Sequence, residues 1–145
     1  MNRRLVLALL ALSLATAQGQ SHGVLGNWAD PDGSIIHIYQ CGEDICATLI
    51  AISAKEPTRV DAENPDPALR RRSLCGLKVG TGFHPAGPDH AKGGRLYDPK
   101  SGKTYTGTMT REGNQLKLRG YVGIPLFGRT ETWTRAKETV AACRP

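Results

Sequence analysis

Apolar and polar residues alternate with a period of two along most of this chain, the spacing of strands with one buried face. Residues 34–39 and 45–52 are β-branched, apolar runs. Leu77, Val79, Thr81 and Phe83 alternate with Lys78, Gly80 and Gly82. Tyr105, Gly107 and Met109 alternate with threonines, Leu116 and Leu118 with Lys117 and Arg119, and Glu131, Trp133 and Arg135 with threonines again. Turn chemistry separates the runs. Asp30-Pro31-Asp32-Gly33 pairs a proline-set φ with a permissive glycine, and Asp98-Pro99-Lys100-Ser101-Gly102 and Glu112-Gly113-Asn114 join further pairs. Gly80, Gly107 and Gly120 inside strands predict bulges or bends. No heptad, long amphipathic helix or internal repeat is present. Short strands with glycine-rich turns predict an antiparallel barrel or sandwich. Gly26-Asn27-Trp28 at one end and Trp133-Thr134-Arg135 at the other suggest a sheet closed on itself. Two stretches predict long loops, residues 53–72 and 84–94. Prolines in the first exclude helix until a short turn at Ala68.

Residues 1–17 predict a signal peptide. Asn2-Arg3-Arg4 is basic, residues 5–14 are apolar, and Ala15-Thr16-Ala17 offers a cleavage site before Gln18. The apolar run is shorter than the about 20 residues that span a bilayer, and no later segment is apolar enough to span. Residues 18–145 then form one periplasmic or secreted domain. Without Arg3 and Arg4 the formal charge falls from +6 to +4. The basic run Arg70-Arg71-Arg72 reads as a solvated loop or an anion site. Nucleic acid is not expected as a partner, because no aromatics interleave with the cations.

Four cysteines in an exported chain predict disulfides. Cys41 and Cys46 flank a short turn between two strand-like runs, so a bridge across that hairpin is expected. Cys75 and Cys143 remain, as a possible long-range tie on the C-terminal tail. The spacings do not make two CxxC pairs, which argues against zinc. Neither metal nor cofactor is expected.

Gly102-Lys103-Thr104 is a hairpin turn, since Tyr97 stands where a phosphate loop needs its first glycine. His37, His84 and His90 read as packed or surface residues. Asp30, Asp32, Asp61 and Asp98 lie near proline or glycine and read as turn residues, with Asp61 and Asn64 set apart by their place before Arg70 and Arg72. These four form either a polar cluster at a barrel mouth or a loop brace in which Asp61 pairs with Arg72. No nucleophile–base set is visible, so an enzyme is not the favoured reading.

The chain resembles the bacterial family of unknown function DUF2147 over residues 24–136. The resemblance rests on Gly26-x-Trp28 with Asp32-Gly33, Cys41-Gly42-x-x-x-Cys46, Asp61-x-x-Asn64-Pro65 and Arg70-x-Arg72-x-Leu74-x-Gly76-Leu77. It continues through Gly94-x-x-Tyr97-Asp98-Pro99-x-Ser101-Gly102-Lys103-x-Tyr105, residues 118–123, and Gly128-Arg129-Thr130-x-x-Trp133-Thr134-Arg135. It implies an all-β fold, a small antiparallel up-and-down barrel of lipocalin or calycin type with one or two long loops, and no established activity. In calycins a Gly-x-Trp and a late arginine meet where the barrel closes, so Trp28 is expected to meet Arg135 or Arg129, with Trp133 nearby.

Three functions follow as expectations. The first is an envelope barrel that binds a small apolar or amphiphilic ligand. Ile36, Ile38, Leu77, Val79, Met109, Leu116 and Leu118 would line it, and Asp61, Asn64, Arg70, Arg72, Tyr97 and Tyr105 would form its polar site. The second is a solid barrel that binds an envelope protein through Ile124, Pro125, Leu126 and Phe127. The third is a hydrolase, which needs a perturbed carboxylate or histidine in a cleft.

Overall fold

The computed structural model describes residues 23–137 and Cys143. The expected signal peptide lies outside the described residues. The alternating runs form β1 (Gly26–Ala29), β2 (Ile35–Cys41), β3 (Asp44–Ala51), β4 (Lys78–Pro85), β5 (His90–Asp98), β6 (Lys103–Glu112), β7 (Gln115–Tyr121) and β8 (Arg129–Arg135). Each pairs antiparallel with the next, and β1 pairs with β8, so the sheet is a closed up-and-down barrel. Among the described residues the other elements are two single turns of 3₁₀ helix, Pro67–Leu69 and Pro125–Phe127.

An up-and-down barrel puts alternate hairpins at opposite ends. The tight β2–β3, β4–β5 and β6–β7 hairpins share one end with the start of β1. That end is packed solid. Trp28, Ile38, Ile45, Phe83, Ala91, Met109 and Leu116 are fully buried there, because period-two alternation turns each of them inward.

The seam between β1 and β8 is short, pairing Trp28 with Arg135 and Ala29 with Thr134. Side chains reinforce it. The Arg135 guanidinium lies over the Trp28 ring, 3.7 Å from its centroid. It also donates to the carbonyls of Leu25 at 2.7 Å and Gly23 at 3.1 Å. The Trp28 indole donates to the Val24 carbonyl at 2.9 Å. Arg135, not Arg129, is thus the partner of Trp28. Gly26 has φ +113°, and a Cβ there would lie 2.6 Å from the Arg135 guanidinium, which explains the glycine two residues before the tryptophan.

The stretch expected as a second long loop, residues 84–94, is instead mostly strand. β4 runs to Pro85 and β5 begins at His90, leaving a four-residue turn at 86–89. Pro85 closes a strand and Pro88 lies in the turn, so neither removes a hydrogen bond from a strand interior.

The strand glycines make room for Phe83. A Cβ on Gly94 would come within 2.2 Å of the Phe83 ring, and one on Gly107 within 3.1 Å. Gly120 lies in unbroken register opposite Gly107 and packs on Tyr105, so no bulge marks it.

Both disulfides form, with Cα separations of 5.8 Å for Cys41–Cys46 and 5.7 Å for Cys75–Cys143. They use all four thiols, leaving none to ligate zinc. The second bridge ties Cys143 to Cys75, just before β4, and the Cys143 amide donates to the Ile50 carbonyl of β3 at 2.7 Å.

Replacing Gly94 by alanine should destabilise the barrel by about 1–3 kcal/mol through overpacking against Phe83. Urea unfolding would show a lower midpoint with an unchanged slope. A Phe83→Leu background should recover part of the loss.

Candidate functional site

The other end of the barrel is open. The β1–β2, β3–β4, β5–β6 and β7–β8 connections meet there around a cleft of about 910 Å³. Its apolar wall includes Ile36, Leu49, Val79, Leu96, Leu118 and Trp133. Phe83 and Met109 are fully buried and stand outside the cleft lining. Of the interior residues expected from alternation, Ile36, Val79 and Leu118 line the cleft, whereas Ile38, Met109 and Leu116 lie in the solid half. Leu77 is buried in the core at the start of β4.

The long β3–β4 connection forms one side of the mouth. Its ends are drawn together by a Val60–Ser73 bridge and by backbone bonds from Asp61 to Arg72 and from Leu74 to Arg59. This folding turns Leu74 into the cleft.

Asp61 is the centre of the brace. It is fully buried, and its carboxylate accepts from the Tyr97 hydroxyl at 2.6 Å, Asn64 Nδ2 at 2.7 Å and Arg72 Nε at 2.8 Å. A second Arg72 nitrogen lies at 2.8 Å. Burial alone would raise its pKa, but these three donors and the Arg72 charge outweigh it and hold the carboxyl below its usual range. Burial, and after it the same carboxylate, push the Tyr97 phenol above its usual range. Arg70 Nε donates to the Asn64 carbonyl at 2.8 Å. Asp61, Asn64, Arg70 and Arg72 thus bind one another and stand outside the cleft lining. Tyr97 is the wall between, with its ring toward the cleft and its hydroxyl in the cluster.

Tyr105, Arg129 and Trp133 also line the cleft. Lys100 and Lys103, on the turn read from sequence as a plain hairpin, reach the mouth as well. Strand parity was the signal that could have found them, since the β5–β6 turn must share an end with the long β3–β4 loop. Lys100 binds Asp32 and lies 3.3 Å from Glu56, pinning that loop to the turn. Burial works against its charge, yet the two carboxylates raise its pKa. A smaller cleft of about 370 Å³ lies beyond Lys100, against Lys55, Pro57 and Glu63.

Asp30 and Asp98 are turn residues as read. Asp30 accepts from the amides of Asp32, Gly33 and Ser34, and Asp98 from the Lys100 amide and the Ser101 hydroxyl. Asp32 and Asp61 differ, because their carboxylates pair with Lys100 and Arg72. His37 bonds Asn27, His84 pairs with Asp44 and His90 bonds Thr110. Among the described residues no group of histidine, cysteine and carboxylate side chains is placed to hold a metal ion. No described helix is long and apolar enough to cross a membrane.

An eight-stranded up-and-down barrel, closed between first and last strands by a tryptophan–arginine pair and open at one end, has the lipocalin-like fold. The chain belongs to the family described as uncharacterized protein conserved in bacteria (DUF2147), which matches residues 26–135. It is similar to the solved structure of HP1028 from the human pathogen Helicobacter pylori, a protein of the lipocalin family. That likeness covers 81% of this chain and 86% of the other, with TM-score 0.73 and 24% identity, and shows the shared fold. No curated protein matched the chain.

Asp61→Ala should cost about 2–4 kcal/mol, since it strands the donors of Tyr97, Asn64 and Arg72. The lowered carboxyl pKa sets the sign of the pH effect. Its stabilisation is complete above about pH 4, near the unfolded carboxyl pKa, and is lost as pH falls through the folded value. Unfolding midpoints should therefore drop in acid for the parent, and the gap between parent and variant should narrow there.

Proposed function

We propose that this barrel binds a small apolar or amphiphilic molecule in the cell envelope, as a periplasmic or secreted protein released by cleavage of residues 1–17. The open cleft carries this reading. Its about 910 Å³ falls in the size range of small-molecule sites, and its depth is walled by aliphatic side chains and Trp133. A barrel filled from end to end would not support it. The expected head-group site moves, however. The cluster around Asp61 is occupied by its own members, so its contribution is to hold Tyr97 and Leu74 as walls. Export is supported by the basic and apolar start of the sequence and by two disulfides, which persist in oxidising compartments. The reading requires no metal or cofactor.

The perturbed carboxylates are both held low, Asp61 by the donors of Tyr97, Asn64 and Arg72 and Asp32 by Lys100. That is the opposite of the raised pKa a general acid needs. A hydrolase is therefore not favoured.

One observation favours a second reading, an envelope protein partner. Leu126 and Phe127 are 76% and 77% exposed, at the β7–β8 loop. Arg119 holds this loop by donating to the Pro125 carbonyl at 2.6 Å, which braces the turn that exposes Leu126 and, at the edge of the cleft, Phe127. Exposed apolar groups of this kind mark contact surfaces.

Native mass spectrometry of the mature protein, exported in a bacterial host, tests the first reading. A stoichiometric added mass, lost on denaturation, is the expected result. A bare mass, with no change in Trp133 emission on titration with dodecanol, would count against it. For the second, a Leu126→Ser, Phe127→Ser variant should keep its stability within about 0.5 kcal/mol. It should also lose any partner crosslinked to the parent in intact cells; retention of that partner would remove the loop from consideration.

A further inference from the structure

We infer that the molecule held in the cleft is a single-chain amphiphile with an anionic head, and that Lys103 and Arg129 receive that head. This rests on the cleft being a ligand site and adds the chemical class of its occupant. The charges around the mouth are not evenly satisfied. Each acid of the cleft lining accepts from a described donor, which fixes its direction and, at Glu56 alone, also pairs its charge. Asp30 accepts three backbone amides of its own turn, and Asp98 accepts the Lys100 amide at 3.0 Å and the Ser101 hydroxyl at 2.6 Å. Glu131 accepts the Trp133 indole N–H, and Glu56 shares Lys100 with Asp32.

The cations differ. Lys100 is committed to those two carboxylates. Arg119, one strand from Arg129, is committed to the carbonyls of Pro125 and Leu126 and to the Thr130 hydroxyl. The Lys103 ammonium and the Arg129 guanidinium have no ion-pair or hydrogen-bond partner among the described residues, and both line the cleft. Lys103 opens β6 and Arg129 opens β8, so both stand at the mouth, above the apolar wall of Leu118 and Trp133. Two uncommitted cations over an apolar well match a molecule whose chain goes down and whose carboxylate or phosphate stays at the rim. A guanidinium fork takes either group through two parallel hydrogen bonds, and an ammonium adds a compact charge.

The test titrates the full chain, both disulfides intact, with dodecanoate, dodecyl phosphate, dodecanol and dodecyltrimethylammonium below their micellar concentrations. Calorimetry reads the affinities. The two anions should bind about tenfold more tightly than dodecanol, and the cation more weakly than any. The ratio should shrink as salt is raised from about 0.02 to 0.5 M, since the mouth is open to solvent. Whichever anion binds more tightly names the head as carboxylate or phosphate. In a Lys103→Gln, Arg129→Gln variant the ratio of anion to alcohol should fall to near one. Lys103→Glu with Arg129→Glu should turn the preference to the cation. These positions are exposed strand starts, and an unchanged thermal midpoint would verify folding. Equal affinity of the parent for all four compounds would overturn the anionic head and leave the cleft as a ligand site. A preference that survives the double glutamine variant would overturn the assignment to Lys103 and Arg129. Failure of all four to bind would remove the ligand-site reading itself.

Discussion

The stacking of Arg135 on Trp28 is the contact on which the barrel depends. β1 is four residues long and meets β8 at two positions, so backbone pairing alone makes a thin seam. Arg135 thickens it with one cation–π contact and two hydrogen bonds to carbonyls preceding β1. The contact is worth about 0.5–2 kcal/mol by itself. Its larger consequence is topological. Once first and last strands are joined, no inner edge is left open, and inward side chains of eight strands face one interior.

That interior is divided. The Phe83 ring packs inside it, over the neighbouring strands β5 and β6, where Gly94 and Gly107 present no Cβ. With Met109, Ile38 and Leu116 it makes a solid lower half, and the volume left above is the cleft. A single aromatic and the glycines around it thus decide how this part of the barrel packs.

The polar residues of the mouth do two kinds of work. Asp61, Asn64, Arg70, Arg72 and Tyr97 satisfy one another and brace a long loop that would otherwise be expensive to order. Lys100 fastens the same loop to the β5–β6 turn. Lys103 and Arg129 take no part in that brace, and they stand in the cleft lining without a described partner, beside an apolar wall. The exposed Leu126 and Phe127 sit on the neighbouring loop, so the opening of the cleft and the apolar surface share one end of the molecule.

Much of this was legible in the residue order. Alternation located the strands and named interior positions such as Ile36, Val79 and Leu118. The Gly-x-Trp and Trp-x-Arg segments indicated closure, and Cys41 and Cys46 their hairpin bridge. These properties are local, or depend on the two ends of the chain alone, and a period of two is enough to express them. The 84–94 segment was misread as a loop because its prolines and glycines carry the same signals at a strand end as in a coil. The Asp61 cluster could be read as ligand site or brace, since composition does not say which way a carboxylate faces. Whether the interior is hollow, which end opens, and which cations remain uncommitted were decided by tertiary structure, because each depends on side chains that meet across the barrel from strands distant in sequence.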